Sequence, residues 1–222
     1  MTSSLRTLDR RHFLAGAASL SALALAGCST TREPVQPPTP QFDPFYVNMY
    51  GPRPNEEHFV PAVDLRYLDD AYYRRVVPDP TGERPGTIYV DTAAHYLYLV
   101  RDDGQAVRYG VGLGREGFGW SGRGTIQMKR QWPTWTPPAA MIEREPHLEE
   151  FRTGQPGGID NPLGARALYI FQNGRDTLYR LHGTPEPWTI GRNVSSGCVR
   201  LINQDIIDLY DRVAVGSTLI VA

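Results

Sequence analysis

From Gly86 onward the chain consists of short runs rich in β-branched and aromatic residues, separated by turn signals. Such runs are typical of β-strands. Asp103-Gly104 and Asn173-Gly174 are strong hairpin signals, because these residue types accept the backbone of a tight turn. We therefore predict a mainly β fold, built as a sandwich or barrel. The predicted strands are residues 87–90, 95–100, 106–111, 124–129, 165–172, 178–182 and 218–221.

One helix is predicted to follow residue 202, directly after the segment that carries Cys198. Asn203 can cap its N-terminus and Gly216 can end it. Between them lie apolar residues at helical spacing, namely Ile206, Leu209, Tyr210 and Val213.

Two long stretches, residues 131–161 and 184–195, resist strand assignment. Loops of this length inside a compact domain are usually lids or binding loops, so we expect long loops around a site. Trp132 and Trp135 lie at the start of the first stretch. Each tryptophan either anchors the loop or contacts a ligand, and the sequence leaves both interpretations open.

The first 27 residues have the pattern of an export signal. Two adjacent arginines precede an apolar run, residues 13–26, that is too short to span a bilayer comfortably. Residues 9–14 resemble a twin-arginine signal, and Leu25-Ala26-Gly27-Cys28 resembles the lipobox of bacterial lipoproteins. We expect Cys28 to be acylated; the alternative is an ordinary secretory signal that ends in a small residue.

Three segments follow the signal. Residues 28–44 are polar and proline-rich, and we predict a disordered tether. Residues 45–85 form an N-terminal extension, in which residues 65–77 are the helix-like stretch. Residues 86–222 form the main domain. A mature length of about 195 residues fits one domain with a tail.

Composition argues against several classes of function. The formal net charge is −1 and no basic patch is present, so we expect no nucleic-acid partner. His58, His95 and His147 have no cysteine or carboxylate partner at ligand spacing. We therefore predict neither a metal site nor another cofactor.

Cys198 is the strongest candidate for a reactive group. The chain has two cysteines, and acylation of Cys28 would leave Cys198 as a lone thiol in an oxidising compartment. A thiol attacks carbonyl carbon as the thiolate, and a nearby imidazole such as that of His182 is the usual means of activation. The polar residues 195–197 fit an exposed turn better than a core, which disfavours the alternative of a buried, inert cysteine.

Together these segments resemble the YkuD-type L,D-transpeptidase catalytic domain. The resemblance covers residues 86–222 and rests on His182-Gly183-Thr184 and on residues 195–201, SSGCVRL. It extends to residues 161–168, 203–205 and 216–218. The family signature often has a second histidine before the Gly-Cys pair, where this chain has Ser196, so His182 is the sole candidate base.

The resemblance implies an enzyme that acts on bacterial peptidoglycan. Such enzymes cleave a stem tetrapeptide after its third residue and release the terminal D-alanine. The acyl group then passes through a cysteine thioester to an amine acceptor, which is a stem diamino acid, a D-amino acid or a protein lysine. Carbapenems are implied inhibitors, because their strained lactam presents an electrophilic carbonyl to the same thiol.

The resemblance also implies roles for single residues. Cys198 is the nucleophile, His182 the general base and later the acid, and the carbonyl of Gly183 orients the imidazole in place of a carboxylate. The backbone N–H groups of Gly197 and Cys198 are candidates for the oxyanion hole.

Other polar residues near the cysteine have two possible roles each. Arg200 either holds a substrate carboxylate or pairs with a structural acid such as Asp205. Ser195 and Ser196 are candidate substrate-binding residues, and a loop hydrogen bond is the other role considered for Ser195. Upstream, Asn161 and Arg166 are interpreted as structural residues of a turn and a strand.

Two other functions remain open on the sequence. The same thioester chemistry ending on water would make a hydrolase that trims stems or detaches wall-bound lipoprotein. A non-catalytic wall-binding lipoprotein is the second, although the presence of both His182 and Cys198 argues against it. Ser29 is not the aspartate associated with inner-membrane retention, so we expect an exported periplasmic protein, lipid-anchored to the outer membrane.

Overall fold

The computed structural model describes residues 41–114, 120–195 and 197–222, and only the backbone of Ser195. The predicted export signal, Cys28, nearly all of the predicted tether and Ser196 therefore lie outside the described residues. Eleven strands occur within these ranges: β1 Arg75–Pro78, β2 Ile88–Asp91, β3 Tyr96–Val100, β4 Gln105–Gly110, β5 Leu113–Gly114, β6 Gly122–Gln131, β7 Arg166–Gln172, β8 Arg175–Thr184, β9 Asn193–Ser195, β10 Val199–Ile202 and β11 Thr218–Val221.

Nine of these strands form one mixed sheet in the order β1-β4-β3-β2-β11-β6-β7-β8-β10, and β5 pairs with β9. The described part of the chain is thus mainly β, as predicted. The Asn173-Gly174 turn between β7 and β8 is confirmed, with φ of 51° and 74° at its two residues. Asn and Gly tolerate these left-handed values, which is why the dipeptide was a strong signal.

The sheet curls far enough for its ends to meet. Gly112, just beyond β4, exchanges backbone hydrogen bonds of 2.9 and 2.8 Å with Arg200 on the edge strand β10. A Cβ atom at Gly112 would lie 2.6 Å from the carbonyl oxygen of Thr189, so this approach requires glycine. The curled sheet encloses an apolar core to which most strands contribute, including Ile88, Leu97, Tyr109, Ile126, Leu168, Leu181, Leu201 and Leu219.

Three α-helices occur in the described ranges: α1 Pro44–Met49, α2 Ala139–Arg144 and α3 Asn203–Arg212. Helix α3 is the predicted helix after the cysteine, and its apolar face buries Ile206 and Leu209 in the core. The predicted cap is wrong. Ile202 is the N-cap residue, and the side chain of Asn203 makes no capping bond. Instead Oδ1 of Asn203 accepts a 2.9 Å hydrogen bond from the backbone of Ala165.

The N-terminal extension packs on the outside of the sheet. Its predicted helix-like stretch is wrong, since the chain there forms two 3₁₀ turns, Leu65–Tyr67 and Asp70–Tyr72, and then strand β1. Asp64 and Asp69 each accept a hydrogen bond from the backbone two residues ahead, which starts a tight turn. The extension buries an apolar cluster against the main domain, made by Tyr50, Leu65, Leu68, Tyr73, Ile190 and Ile202.

The first long loop is fastened to the extension as well. Trp132 is buried with Val60 and Ile207, and its Nε1 donates a 3.2 Å hydrogen bond to Glu56. The other carboxylate oxygen of Glu56 lies 2.7 Å from Arg166, which is itself buried. These contacts favour the anchoring interpretation for Trp132.

Asn161 holds the far end of the same loop. It is buried, and its side-chain amide donates to the carbonyls of Pro133, Gln155 and Pro156 at 2.9 to 3.1 Å. Its Oδ1 accepts a 2.8 Å bond from the backbone of Leu163. Asn161 is thus the structural turn residue expected from the sequence.

Candidate active site

Strands β8 and β10 bring the two candidate reactive residues together. They run parallel, with Val199 opposite Leu181 and Arg200 opposite His182. Side chains alternate along a strand, so Leu181, Val199 and Leu201 share the face that forms the core. His182 and Arg200 lie on the opposite face. Cys198 directly precedes β10, and its position in the alternation places it on that same face.

A backbone carbonyl orients the imidazole of His182. The ring is buried, and its Nδ1 lies 2.8 Å from the carbonyl oxygen of Gly183. A carbonyl only accepts hydrogen bonds, so Nδ1 carries the proton and Nε2 keeps its lone pair. The arrangement leaves Nε2 as the basic atom.

The surroundings of His182 keep it neutral. The pKa of its imidazole is lowered to about 4, chiefly by burial and also by the positive charges of Arg200 and Arg180. The hydrogen bond to Gly183 raises the pKa, but by less than burial lowers it. At neutral pH the imidazole is therefore uncharged and able to take a proton.

Cys198 is a half-buried cysteine at the end of the turn before β10. Burial raises the pKa of the thiol above its ordinary value. A hydrogen bond from the backbone of Arg180 and the charges of Arg180 and Arg200 lower that pKa in part. The resting pair is therefore an uncharged thiol and an uncharged imidazole, so the thiol needs a base at the moment of attack.

Gly197 shapes the turn that presents the cysteine. It is buried and has a φ of 127°, a backbone conformation that side chains disfavour. A Cβ atom there would lie 3.1 Å from the ring of Tyr179. The turn therefore depends on glycine, and the backbone amides of Gly197 and Cys198 lie together at the start of β10.

Arg200 pairs with an acid, but with a different one from that predicted. Its Nη1 lies 3.2 Å from Oε2 of Glu186 on the loop after β8. Asp205 points elsewhere and contacts Tyr50 and Arg74 of the extension. The Glu186 carboxylate is substantially exposed, so its pair with Arg200 is screened by solvent and weak. A substrate carboxylate can compete for Arg200.

Arg180 and Glu186 are the two charged residues of the site that sequence reasoning missed. Arg180 makes a bidentate pair with Asp176, at 2.6 and 2.8 Å, and influences both reactive residues. Period-two alternation was the available signal, because it places Arg180 on the same face as His182. No sequence pattern around Glu186 indicates that it lies in the site.

The remaining predicted residues are placed only in part. The backbone of Ser195 pairs with Gly114 in the small β5–β9 sheet, and Ser196 lies outside the described residues. In the part of the chain that the structure describes, no group of three or more His, Cys, Asp or Glu side chains is arranged to hold a metal ion. The helices seen in the same ranges are too short or too polar to cross a membrane.

Two relatives match a large part of the chain in sequence. ErfK/SrfK of Escherichia coli strain K12, named a probable L,D-transpeptidase, is 34% identical over 191 residues, which are 83% of this chain and 58% of that protein. YbiS of the same strain carries the same description and is 35% identical over 152 residues, which are 64% of this chain and 45% of that protein. The chain therefore spans about half the length of these relatives.

Among solved structures, a Brucella melitensis protein described as a probable carnitine operon oxidoreductase, caia, is 46% identical. The match covers 69% of this chain and 96% of that protein, with a TM-score of 0.49. At this TM-score we infer no activity from the structural similarity. The family model of YkuD, the L,D-transpeptidase catalytic domain, matches residues 85–221, more than half of the chain. The chain therefore belongs to the YkuD family of L,D-transpeptidase catalytic domains.

Proposed function

We propose that the protein is a peptidoglycan L,D-transpeptidase that uses Cys198 as its nucleophile. The observation that carries the proposal is the 2.8 Å contact from Nδ1 of His182 to the Gly183 carbonyl, which leaves Nε2 free to act as a base. Membership of the family supports the same chemistry. A non-catalytic wall-binding protein does not require an oriented, neutral imidazole on the same face of the sheet as a thiol.

The first half-reaction acylates the cysteine. Nε2 of His182 takes the thiol proton while sulfur attacks the carbonyl carbon of the third stem residue. The tetrahedral intermediate collapses with formation of a C–S bond and cleavage of the amide C–N bond. The imidazolium gives its proton to the departing nitrogen, so D-alanine leaves as an amine.

The second half-reaction transfers the acyl group. An acceptor amine attacks the thioester and forms the new amide, and the C–S bond breaks. His182 takes the proton of the attacking amine and returns it to the sulfur, which restores the uncharged pair. Water in place of the amine would give hydrolysis by the same steps.

Backbone and side-chain charges near Cys198 support these steps. The amides of Gly197 and Cys198 are the proposed oxyanion hole, where losing one donor typically raises a barrier by about 3 to 4 kcal/mol. Arg200 is proposed to bind a substrate carboxylate by displacing Glu186. Ser195 and Ser196 remain candidate substrate contacts, since they directly precede Gly197 and Cys198 in the chain.

The proposal is tested with a tetrapeptide donor and an amine acceptor, by measuring released D-alanine and new amide product. Cys198→Ala should abolish both, and equal product from this variant would refute the mechanism. His182→Ala should lose most activity at neutral pH and regain part of it at high pH, where the thiolate forms unaided. A flat pH response in that variant would contradict the base role.

The acceptor is identified by incubating the protein with purified sacculi and analysing the muropeptides. Cross-linked dimers indicate a stem acceptor, exchanged termini indicate a D-amino acid, and tripeptides alone indicate hydrolysis. Attachment of a wall-bound protein would identify a protein lysine.

We also propose that carbapenems acylate Cys198, because the strained lactam carbonyl resembles the acyl donor. Intact-mass measurement should show one added drug molecule per chain and none on Cys198→Ala. Absence of an adduct with the unmodified protein would contradict this inhibitor class.

The export pattern leads to a proposal about location: the mature protein begins at Cys28 and is held by acyl chains to the periplasmic face of the outer membrane. About 15 residues of the predicted tether, extended at about 3.1 Å per residue, reach roughly 45 Å from the bilayer. Replacing Cys28 with alanine should abolish lipid labelling and membrane fractionation while catalysis by the purified protein is unchanged. Retention of the variant on salt-washed membranes would refute the lipid anchor.

A further inference from the structure

A cavity of about 240 Å³ lies next to the candidate active site. Thr184 and Ile202 line it and lie opposite each other in the β8–β10 pair. They are two residues further along these strands than His182 and Arg200. Because side chains repeat their direction every second residue, all four lie on one face of the sheet. The cavity is therefore a continuation of the site along the same strands.

The N-terminal extension forms the opposite wall of this cavity. Residues 60–64 and Tyr67 line it together with the loop that follows β8. Most of the lining is apolar, including Val60, Val63, Ile159, Pro185 and Pro187. The cavity thus exists only because the extension packs over the ends of β8 and β10.

Asn203 has a side-chain N–H donor for which the described residues provide no acceptor. Asn203 lines the cavity and is 2% exposed, with Oδ1 committed to the backbone of Ala165. Its Nδ2 makes no hydrogen bond within the part of the chain that the structure describes. A buried amide donor without a partner is costly, so its presence at a cavity points to a ligand that brings an acceptor oxygen.

The charges around the cavity favour a neutral ligand. Asp64 is the charged residue in its lining, and that carboxylate is paired with Arg66 through three side-chain hydrogen bonds. The other polar lining groups, Thr184, Asn203 and Gln204, are uncharged. The cationic groups Arg180 and Arg200 lie on the side of Cys198, where the carboxylates of a stem peptide fit better.

Two exposed aromatic rings form the rim. Tyr67 and Trp188 are 58% and 49% exposed, and their ring centroids lie 6.4 Å apart at nearly a right angle. An exposed large ring next to a cavity offers a flat apolar surface with a polar edge. The C–H face of a sugar ring is a matching surface.

We propose that this cavity binds the N-acetyl group of an amino sugar, with the sugar ring against Trp188. The acetyl methyl fits the apolar lining, and its carbonyl oxygen accepts the hydrogen bond of Asn203 Nδ2. Since the proposal rests on the proposed peptidoglycan substrate, the ligand is the glycan that carries the stem.

The spacing along the strands agrees with this occupant. Cys198 and Ile202 are four residues apart, which is about 13 Å along a strand. Three extended stem residues between the reacting carbonyl and the sugar span up to about 10 Å, and the lactyl bridge to the sugar adds to that length. A stem whose third residue reacts at Cys198 can therefore place its sugar at the cavity.

The test is a titration of the purified mature protein with the tetramer of N-acetylglucosamine, followed by calorimetry and by the fluorescence of the tryptophans. We expect binding to the acetylated tetramer and none to the deacetylated tetramer. Trp188→Ala should weaken binding about tenfold, a typical loss for one aromatic contact. Phe59→Ala is the matched control, because Phe59 is 59% exposed and is not part of the cavity lining.

Asn203→Asp is a second variant, since it keeps an oxygen for the Ala165 contact and removes the N–H donor. It should lose binding while circular dichroism remains that of the wild type. Equal affinity for the deacetylated tetramer, no binding of either tetramer, or unchanged affinity in Trp188→Ala would each overturn the proposal. Competition by a free stem tetrapeptide would overturn it as well, because the cavity would then be a peptide site.

The titration requires no catalysis, so its outcome is separate from that of the proposed function. Sugar binding by a protein that releases no D-alanine would refute the transpeptidase function and leave the sugar site. Release of D-alanine without sugar binding would leave the transpeptidase function and refute this site.

Discussion

The hydroxyl group of Tyr50 donates a 3.2 Å hydrogen bond to Oδ2 of Asp205, and this contact joins the N-terminal extension to helix α3. The same hydroxyl accepts a 2.7 Å bond from the backbone of Arg74, whose guanidinium lies 2.9 Å from Asp208. Tyr50 and Asp205 are buried. Because α3 follows β10 without a break, these contacts help to hold the strand that presents Cys198.

Tyr50→Phe should therefore destabilise the protein. The change leaves a buried carboxyl oxygen and a backbone amide without their partner, at a cost of about 1 to 3 kcal/mol. Urea denaturation measures the free energy of unfolding, and Tyr67→Phe is the control because its ring is exposed. A Tyr50→Phe protein as stable as the control would show that the hydroxyl contacts contribute nothing.

Asp205 should make stability depend on pH. The pKa of its carboxyl is raised to about 7, chiefly by burial and also by Asp208, against the opposing charges of Arg74 and Arg53 and the hydrogen bond from Tyr50. The ordinary value, expected in the unfolded chain, is 3.8. The folded state therefore favours the protonated carboxyl. The contribution of this group to the free energy of unfolding is largest below pH 3.8 and is lost as the pH rises towards 7.

Asp205→Asn removes this titration. The stability of the wild type relative to the variant should fall as the pH rises from about 4 to 7 and then level off. Denaturant midpoints for both proteins across this range provide the measurement. A relative stability that rises over the same range would mean that the paired, ionised carboxylate is the favoured form.

Arg200 should contribute to the pH at which activity begins. Burial is the main cause of the low pKa of His182, and the charge of Arg200 lowers that pKa further; the imidazole must be neutral to act as base. In Arg200→Gln that pKa should rise, and the acid limb of kcat/KM should move from near pH 4 to higher pH. Arg200→Lys keeps the charge, so its acid limb should stay at the pH of the wild type. If the acid limb of Arg200→Gln lies at the same pH as that of the wild type, even with weaker substrate binding, this electrostatic role is excluded.

Features encoded in neighbouring residues were predictable from the sequence. The Asn173-Gly174 turn follows from two residue types that accept positive φ, and the strands follow from runs of β-branched and aromatic residues. The apolar spacing of residues 206, 209 and 213 likewise predicted α3. In the site, the family resemblance implied that the Gly183 carbonyl orients His182, and the two groups lie 2.8 Å apart.

Features that depend on distant contacts were not predictable. Asparagine is a common N-cap residue, but Oδ1 of Asn203 accepts a hydrogen bond from the backbone of Ala165, which is 38 residues away in the chain. Arg200 pairs with Glu186, which lies 14 residues earlier in the chain, whereas Asp205 contacts Tyr50 and Arg74 of the extension. Residues 65–77 contain helix-forming residues, yet pairing of β1 with β4 outweighs local preference.

The most direct test of the account is the covalent intermediate on Cys198. The protein is mixed with a stem tetrapeptide in the absence of acceptor amine, quenched in acid, and measured by intact-mass spectrometry and peptide mapping. The account predicts a mass increase equal to the tetrapeptide minus D-alanine, located on the peptide that contains Cys198 and missing in Cys198→Ala. Release of D-alanine by Cys198→Ala, or an adduct on any other residue, would contradict it.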